Sequence, residues 1–538
     1  MTITGLNRFG EPRGEKGLLR VAYVAAGSGT AYCGACFHSA ELVRALRQKG
    51  VDAVLVPVYL PVEIDTQPLP QSRIFFGGIS VFLEQYIPLF RRTPGWLDRL
   101  WNSRWMLSLV GRLAQSTSPE KLGPLTLSML AGEEGYQRKE LEGLVWFLRK
   151  ELRPDVVHLS TALLVGMARV IREELRIPVV ANLAGEDSFL EGLPDRYRLE
   201  AQKLAATRLA ELDALVALSY YYAFRASDYF RLPGEKVWII PPGVAVPEGQ
   251  RGGNGHGREK AQRPEISLGY LGRICADKGF PLLVAAACQW ARSRWEPPIN
   301  WLVAGRIEPS FRKEFSQLLE QARRVGAWVE YLGPVDREGK ERFFAAIQGF
   351  ILPSTIPEPK AVTAIEAVAR GIPVIAPAHG AFVEIVKQSG CGELYWPNEP
   401  DQLCKTLRQW VLGTEHPVEL KADRVEQRLS SLPSNCQAGD EAHQGSVTLD
   451  GTLAKIPDSA RWDSPLCLAE IRSDLTQEPG GQLPGGISPG FQISGEGNLP
   501  AFPRLGPSYY RAERMAKQTL ALYRLLLSGR EGDSPRPA

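Results

Sequence analysis

The sequence predicts an α/β protein built from two doubly wound halves that face each other across a cleft. Three observations lead there. The chain opens with a buried-strand run at 18–26, a glycine-containing turn, a helical stretch at 37–49 and a second strand at 51–59, the order in which such sheets begin. Apolar runs of strand length then alternate with segments of helical period as far as about residue 240. After a stretch at 247–264 rich in Gly, Arg and Lys, the same alternation starts again at Ile266.

Taken in order, residues 60–130 are the least regular part of the first half. Within them, 89–113 combines Arg91, Arg92, Arg99, Arg104 and Arg112 with Trp96, Trp101 and Trp105. One reading makes this an interfacial helix meeting a membrane or lipid; the other packs it on its domain with the arginines solvated. A helix at 137–151, strand at 155–159, helix at 163–174, strand at 178–183, helix at 197–211 and strands at 214–218 and 237–240 complete this half. The second half reads as strand 266–271, helix 280–290, strand 301–304, helix 311–325, strand 328–332 and helix 337–347. An apolar run at 349–352, a turn holding Glu358, a helix beginning near Ala361 and a strand at 372–376 follow. From about 413 to 503 periodicity vanishes and Gly, Pro, Ser and Gln accumulate, the pattern of a disordered insert. An amphipathic helix at 509–527 carries Ala512, Met515, Leu522, Leu525 and Leu526 on its apolar side, interrupted but not broken by Thr519. The expected organisation is a flexible N-terminus (1–17), a first domain (18–243), a linker (244–264), a second domain (265–412), the insert (413–505), a final helix (506–528) and a disordered tail (529–538).

Composition narrows the function. A chain of 538 residues holds more than one core, and 44% hydrophobic with 23% charged residues is ordinary for a globular enzyme. A net charge of +3 without a dense Lys/Arg block gives no polyanion footprint, so nucleic acid is not the expected partner. The N-terminal residues lack a signal-peptide pattern, and no apolar run reaches the roughly 18 residues a membrane span needs. Eight cysteines in so long a chain make no disulfide scaffold. The expectation is a cytoplasmic protein, with 89–113 as a candidate contact to the inner membrane face.

The chemistry-bearing residues cluster after strand ends. Gly269-Tyr-Leu-Gly272-Arg273, followed by Lys278-Gly279, sets two cations behind the second half's first strand, spaced to grip a diphosphate from two directions. Glu358 and Glu366 lie eight positions apart, one in a strand-to-helix loop and one in the helix. The amides that start this helix, near Val362 and Thr363, are free to bind an anion. No Asp-x-Asp pair occurs and the six His are scattered, so no metal is required. Cys33 and Cys36 form a CxxC at a helix start, either a thiol redox site or two packed thiols.

These motifs together, GYLGRICADKG, Glu358 with Glu366, and GIPVIAPAHGAFVEIV, resemble glycosyltransferase family 4. PDVVHLST and IIPPGV in the first half are similar to that family's segments as well. The resemblance implies the GT-B fold, two Rossmann-like domains with the last helix crossing back to the first. It implies retaining transfer of a hexose from a UDP- or GDP-type donor to a glycan, lipid or small molecule, with no cofactor. Arg273, Lys278 and the amides of Val362 and Thr363 would then stabilise the leaving phosphate. Glu358 would bind the donor sugar, Glu366 the ribose, and Gly34 would face the donor phosphate or acceptor. The departing phosphate would take the acceptor proton. Three positions depart from the pattern. Ala184 stands where many relatives have His, leaving His158, Glu186 and Asp187 as acceptor-side candidates. Lys360 and Ala361 follow Pro359 where relatives carry an aromatic residue and Gly. A non-catalytic nucleotide-sugar-binding or scaffold protein on the same fold is the alternative.

Overall fold

The computed structural model describes residues 18–27, 34–58, 119–246, 266–412 apart from Glu296, 502 and 504–531. The Arg/Trp-rich stretch 89–113, the glycine loop at 28–33 with Cys33, most of the expected linker and insert, and the segments 1–17 and 532–538 lie outside the described residues.

The first domain is built on β1 (Arg20–Ala25), α1 (Gly34–Gln48), β2 (Asp52–Pro57), α2 (Pro119–Ala131), α3 (Arg138–Phe147), β3 (Val156–Leu159) and α4 (Ala168–Leu175). It continues with β4 (Val179–Leu183), α5 (Glu186–Glu191), α6 (Asp195–Ala210), β5 (Ala214–Ala217), α7 (Tyr220–Phe230) and β6 (Val237–Ile239). Its six strands are all parallel in the order β2-β1-β3-β4-β5-β6. Apolar runs such as RVAYVA and VVANL are buried on both faces, as a parallel sheet covered by helices requires.

The second domain comprises β7 (Ile266–Leu271), α8 (Phe280–Arg292), β8 (Ile299–Ala304), α9 (Arg312–Arg324), β9 (Trp328–Tyr331), α10 (Arg337–Ala346) and β10 (Gly349–Ile351). Then come α11 (Val362–Val368), β11 (Val374–Pro377), α12 (Phe382–Ser389), β12 (Gly392–Tyr395) and α13 (Pro400–Leu412). The order β12-β11-β10-β7-β8-β9 is again all parallel. The direction of winding reverses between β7 and β10, and in open α/β sheets ligands bind at the strand ends beside such a switch point. The corresponding reversal in the first sheet lies between β1 and β3. The two doubly wound domains are the predicted architecture.

The last helix, α14 (Ala512–Glu531), belongs to the first domain's core. Met515, Ala516, Leu522 and Tyr523 are buried in one cluster with Val21, Tyr23, Leu42 and Leu46 of β1 and α1. So the chain crosses back, as expected. Thr519 does not interrupt the buried stripe, because its hydroxyl donates to Met515 O one turn back at 2.9 Å. Leu525, expected on the apolar side, is 40% exposed, and the helix runs three residues past the expected 528. The expected linker begins as ordered backbone: Val244 N–H donates to Tyr510 O, and Ala512 N–H donates to Val244 O. Leu505, placed in the insert by the sequence, is anchored by its N–H to Gln388 O at 2.7 Å.

Other boundaries moved because end structures compete with the regular elements. The expected helix over 137–151 is α only to Phe147 and closes as a π turn, Leu148–Leu152. Residues 163–167 are a 3-10 segment, not α, entered from Thr161. The strand expected at 372–376 starts at Val374, since 369–372 finish α11: Gly371 takes φ +73° and Ile372 N–H bonds Ala367 O. Helix α2, inside the stretch read as irregular, has no clean sequence period and carries Pro124 within it.

Candidate functional site

The β7–α8 loop and the β10–α11 loop meet at the second sheet's switch point. Gly279 caps α8 at φ +73°, and a Cβ there would stand 1.7 Å from Pro353 O. Only glycine lets the two loops approach so closely. Asp277 O accepts from Thr355 N–H at 2.9 Å, while Asn398 Nδ2 donates to Ser354 O at 2.8 Å. This lattice places Lys278 and Glu358 in direct ion-pair contact, with the Ser354 hydroxyl donating to Glu358 Oε1 at 2.9 Å. On the far side, Ala381 N–H donates to Glu358 O at 2.8 Å. Arg273 points elsewhere: it is 55% exposed and reaches Glu308 at 3.4 Å. The two predicted cations therefore share a loop but not a partner.

Helix α11 starts where the sequence places it. Ala361 is its N-cap at φ 41°, ψ 51°, a left-handed conformation for a residue with a Cβ. Ala364 and Ile365 N–H both donate to Ala361 O, so the amides of Val362 and Thr363 precede the helix's own ladder. Glu366 is 2% exposed and bound to Lys340 Nζ of α10 at 2.9 Å. Lys340 in turn lies over the ring of Phe37 in α1, 4.4 Å from its centroid. The predicted ribose carboxylate is thus roofed by a lysine from its own domain and an aromatic ring from the other. Lys340 and Ser354 were missed, because each acts through a fold contact and carries no motif.

On the first-domain side, the acceptor-side candidates are absorbed by internal contacts. His158 is fully buried, with Nδ1 against Tyr523 OH at 2.6 Å and Nε2 against Asn182 Oδ1 at 2.8 Å. Burial holds its pKa down to about 4, so the ring is a neutral link between β3, β4 and α14. Glu186 Oε1 accepts from Thr161 Oγ1 and Ala162 N, and Oε2 from Ala184 N and Gly185 N. Asp187 binds Arg225 Nε at 2.9 Å and shares the Tyr222 hydroxyl with Glu186. These two carboxylates shape the β4–α5 turn. At Gly34, a Cβ would meet nothing within 4 Å. Cys36 is buried in the α1 core cluster.

The two domains touch across the cleft through named polar contacts. The Ser219 hydroxyl donates to Pro359 O at 2.5 Å, and Lys360 Nζ donates to Ala184 O at 3.2 Å. Glu384 of α12 takes the N–H groups of Tyr220 and Tyr221, each at 3.1 Å, and so caps α7 of the other domain. Burial, the largest influence, pushes Glu384 up to about 8, and the two amides pull it back. Glu384 lies inside the GIPVIAPAHGAFVEIV stretch, but its partners in α7 leave no trace there, and Ser219 reads as an ordinary helix-start residue. Among the described residues no group of three or more His, Cys, Asp or Glu could hold a metal ion, and no helix is long and apolar enough to cross a membrane.

Each domain matches a known family. Residues 256–424 match the family of glycosyl transferases group 1, and residues 130–246 match Glycosyltransferase Family 4. The two spans together cover just over half of the chain. The chain is similar to a D-inositol 3-phosphate glycosyltransferase of a Nocardioides species, 27% identical over 322 residues that span 55% of this chain and 70% of that protein. It is also similar to the lipopolysaccharide 1,2-N-acetylglucosaminetransferase of Salmonella typhimurium, 28% identical over 200 residues, 36% of this chain and 52% of that protein. Among solved structures, a sucrose-phosphate synthase from Thermosynechococcus elongatus superposes with a TM-score of 0.49 at 19% identity, covering 73% of this chain and 90% of that one.

Proposed function

Since this chain belongs to the glycosyltransferases of family 4 type, with the two-domain GT-B fold, we propose that it moves a hexose, with retention, from a UDP- or GDP-linked donor to a hydroxyl of a glycan, lipid or small molecule. The observation that carries this reading is the Lys278–Glu358 contact at the switch point of the second sheet. A cation and a carboxylate held side by side there suit the two halves of a sugar–phosphate linkage, one anionic and one rich in hydroxyls.

In this reading the bond from the anomeric carbon to the phosphate oxygen breaks, and negative charge grows on the diphosphate. Lys278 and Arg273 stabilise that charge, together with the amides of Val362 and Thr363. Cationic and dipolar groups of this kind act on charge as it develops in the transition state. Glu358 accepts hydrogen bonds from sugar hydroxyls and fixes the ring, and Glu366 serves the ribose. The acceptor oxygen bonds to the anomeric carbon, and its proton passes to the departing phosphate oxygen, so no separate protein base is needed. Gly34, beside open space at the start of α1, faces the reacting groups from the first domain.

Donor turnover by the full chain tests this, with UDP-glucose, UDP-N-acetylglucosamine and GDP-mannose as probes and nucleoside diphosphate release as the readout. Glu358→Ala and Arg273→Ala are each expected to lose roughly a hundredfold, the usual cost of removing one transition-state contact. Unchanged turnover in both variants contradicts the assignment. The non-catalytic reading draws on one observation: the β4–α5 turn offers no uncommitted carboxylate, because Glu186 and Asp187 are bound internally. Donor binding without turnover in the wild type is the outcome that favours it.

A further inference from the structure

His38 is a buried histidine with both ring nitrogens unmet among the described residues. It lies on the second turn of α1, 4% exposed, and among the described residues neither ring nitrogen has a hydrogen-bond partner. Buried polar groups are bonded in the great majority of cases, and leaving one unmet costs about 1–3 kcal/mol. His158 shows the ordinary arrangement a short distance away, with both nitrogens taken. An orphaned imidazole therefore calls for a partner that arrives from outside.

Its surroundings say where that partner comes from. The positive charge of Lys360 bears directly on His38, and Lys360 belongs to the loop that carries Glu358 and reaches across to Ala184 O. The neighbouring Phe37 lies under Lys340, which holds Glu366. So His38 sits on the first domain where the sugar-binding loop of the second domain meets it.

We propose that His38 orients the attacking hydroxyl of the acceptor, a role that rests on the glycosyl-transfer reading above. A neutral imidazole offers one N–H donor and one lone pair, which matches a hydroxyl that must be held at both its oxygen and its hydrogen. Burial, with Lys360 second, holds the ring pKa down to about 3. The residue therefore positions the hydroxyl and does not carry its proton, which still goes to the leaving phosphate oxygen.

The test uses His38→Leu and His38→Gln in the full chain, with UDP-glucose, UDP-N-acetylglucosamine and GDP-mannose as donors and water or glycerol as acceptor. His38→Leu is expected to melt at or above the wild-type temperature, because an unmet polar group is replaced by an apolar one. It should keep the donor-induced rise in melting temperature and KM for the donor, yet lose about five- to tenfold in kcat, the scale of one lost hydrogen bond. His38→Gln, which keeps a donor and an acceptor, should recover part of that loss. Wild-type kcat in His38→Leu overturns the proposal, as does a loss that follows a lowered melting temperature or lost donor binding. A wild-type chain that neither binds nor turns over any donor removes the underlying reading, and the proposal with it; that outcome is visible before any variant is made.

Discussion

Ala361 occupies a left-handed conformation at φ 41°, where a side chain costs about 1–2 kcal/mol. Replacement by glycine relieves that strain and adds about 0.4–1 kcal/mol of chain entropy to the unfolded state. Ala361→Gly is therefore expected to raise stability by under about 1 kcal/mol in urea unfolding; a clear loss would contradict the strain. The sequence showed this position as a departure from a glycine-bearing pattern, and the backbone shows that it adopts a left-handed conformation that glycine favours. Lys340 gives the opposite case. Its pair with Glu366 is buried on both sides, and removing one partner of such a pair leaves a buried charge unmet, at about 3–5 kcal/mol. Lys340→Ala should lower the unfolding free energy measured in urea by that amount, whereas a loss of a few tenths of a kcal/mol would mean the site reopens to water. Glu366 was legible as a carboxylate on α11. Its partner, 26 residues upstream, was not, because a lysine inside an amphipathic helix looks like any solvated one.

The element that shapes the candidate site is the turn from Pro353 to Ala361, clamped between the start of α8 and the start of α12. Gly279 and Gly380 make both clamps: a Cβ on Gly380 would come within 2.5 Å of Glu358 N. Gly279→Ala should displace the turn and cost about 1–3 kcal/mol, the scale of overpacking. It should also weaken donor binding more than a distant substitution of equal thermal cost; equal donor affinity would mean the clamp does not place Glu358. At this scale much was readable. Fully buried parallel strands announce themselves as apolar runs, and the glycines after β7 marked the loop that matters. What failed were ends and irregular helices. The π turn at Leu148–Leu152, the 3-10 entry to α4 and the proline-bearing α2 are fixed by tertiary contacts and caps, which leave little trace in hydrophobic period.

At the scale of the whole molecule, the polar contacts between the two domains join residues far apart in sequence. Ser219 meets Pro359, and Tyr220 and Tyr221 meet Glu384, pairs some 140–164 residues apart, which no local pattern can reveal. The same burial sets a pH profile. His38 and His158, held down to about 3 and about 4, contribute stability that is present above about pH 6.5 and lost as pH falls. Glu384, pushed up to about 8 and faced by Tyr220, Tyr509 and Tyr510 with Arg514 beside them, contributes stability that is present below about 4.5 and lost as pH rises to 8. Each proton changes the slope by at most about 1.4 kcal/mol per pH unit. Melting temperature should peak near pH 6.5, and Glu384→Gln should flatten the alkaline side; an unchanged alkaline slope would contradict the placement of Glu384. The central claim is that the clamped turn binds a nucleotide sugar, and donor-induced thermal stabilisation tests it most directly. A ligand that binds only the folded state at a hundred times its Kd adds about 2.7 kcal/mol. One of the UDP- or GDP-sugars should raise the melting temperature of the wild type by several degrees, and Lys278→Ala with Glu358→Ala should abolish that rise. A chain that responds to none of them, or a double variant that responds as the wild type does, would contradict it.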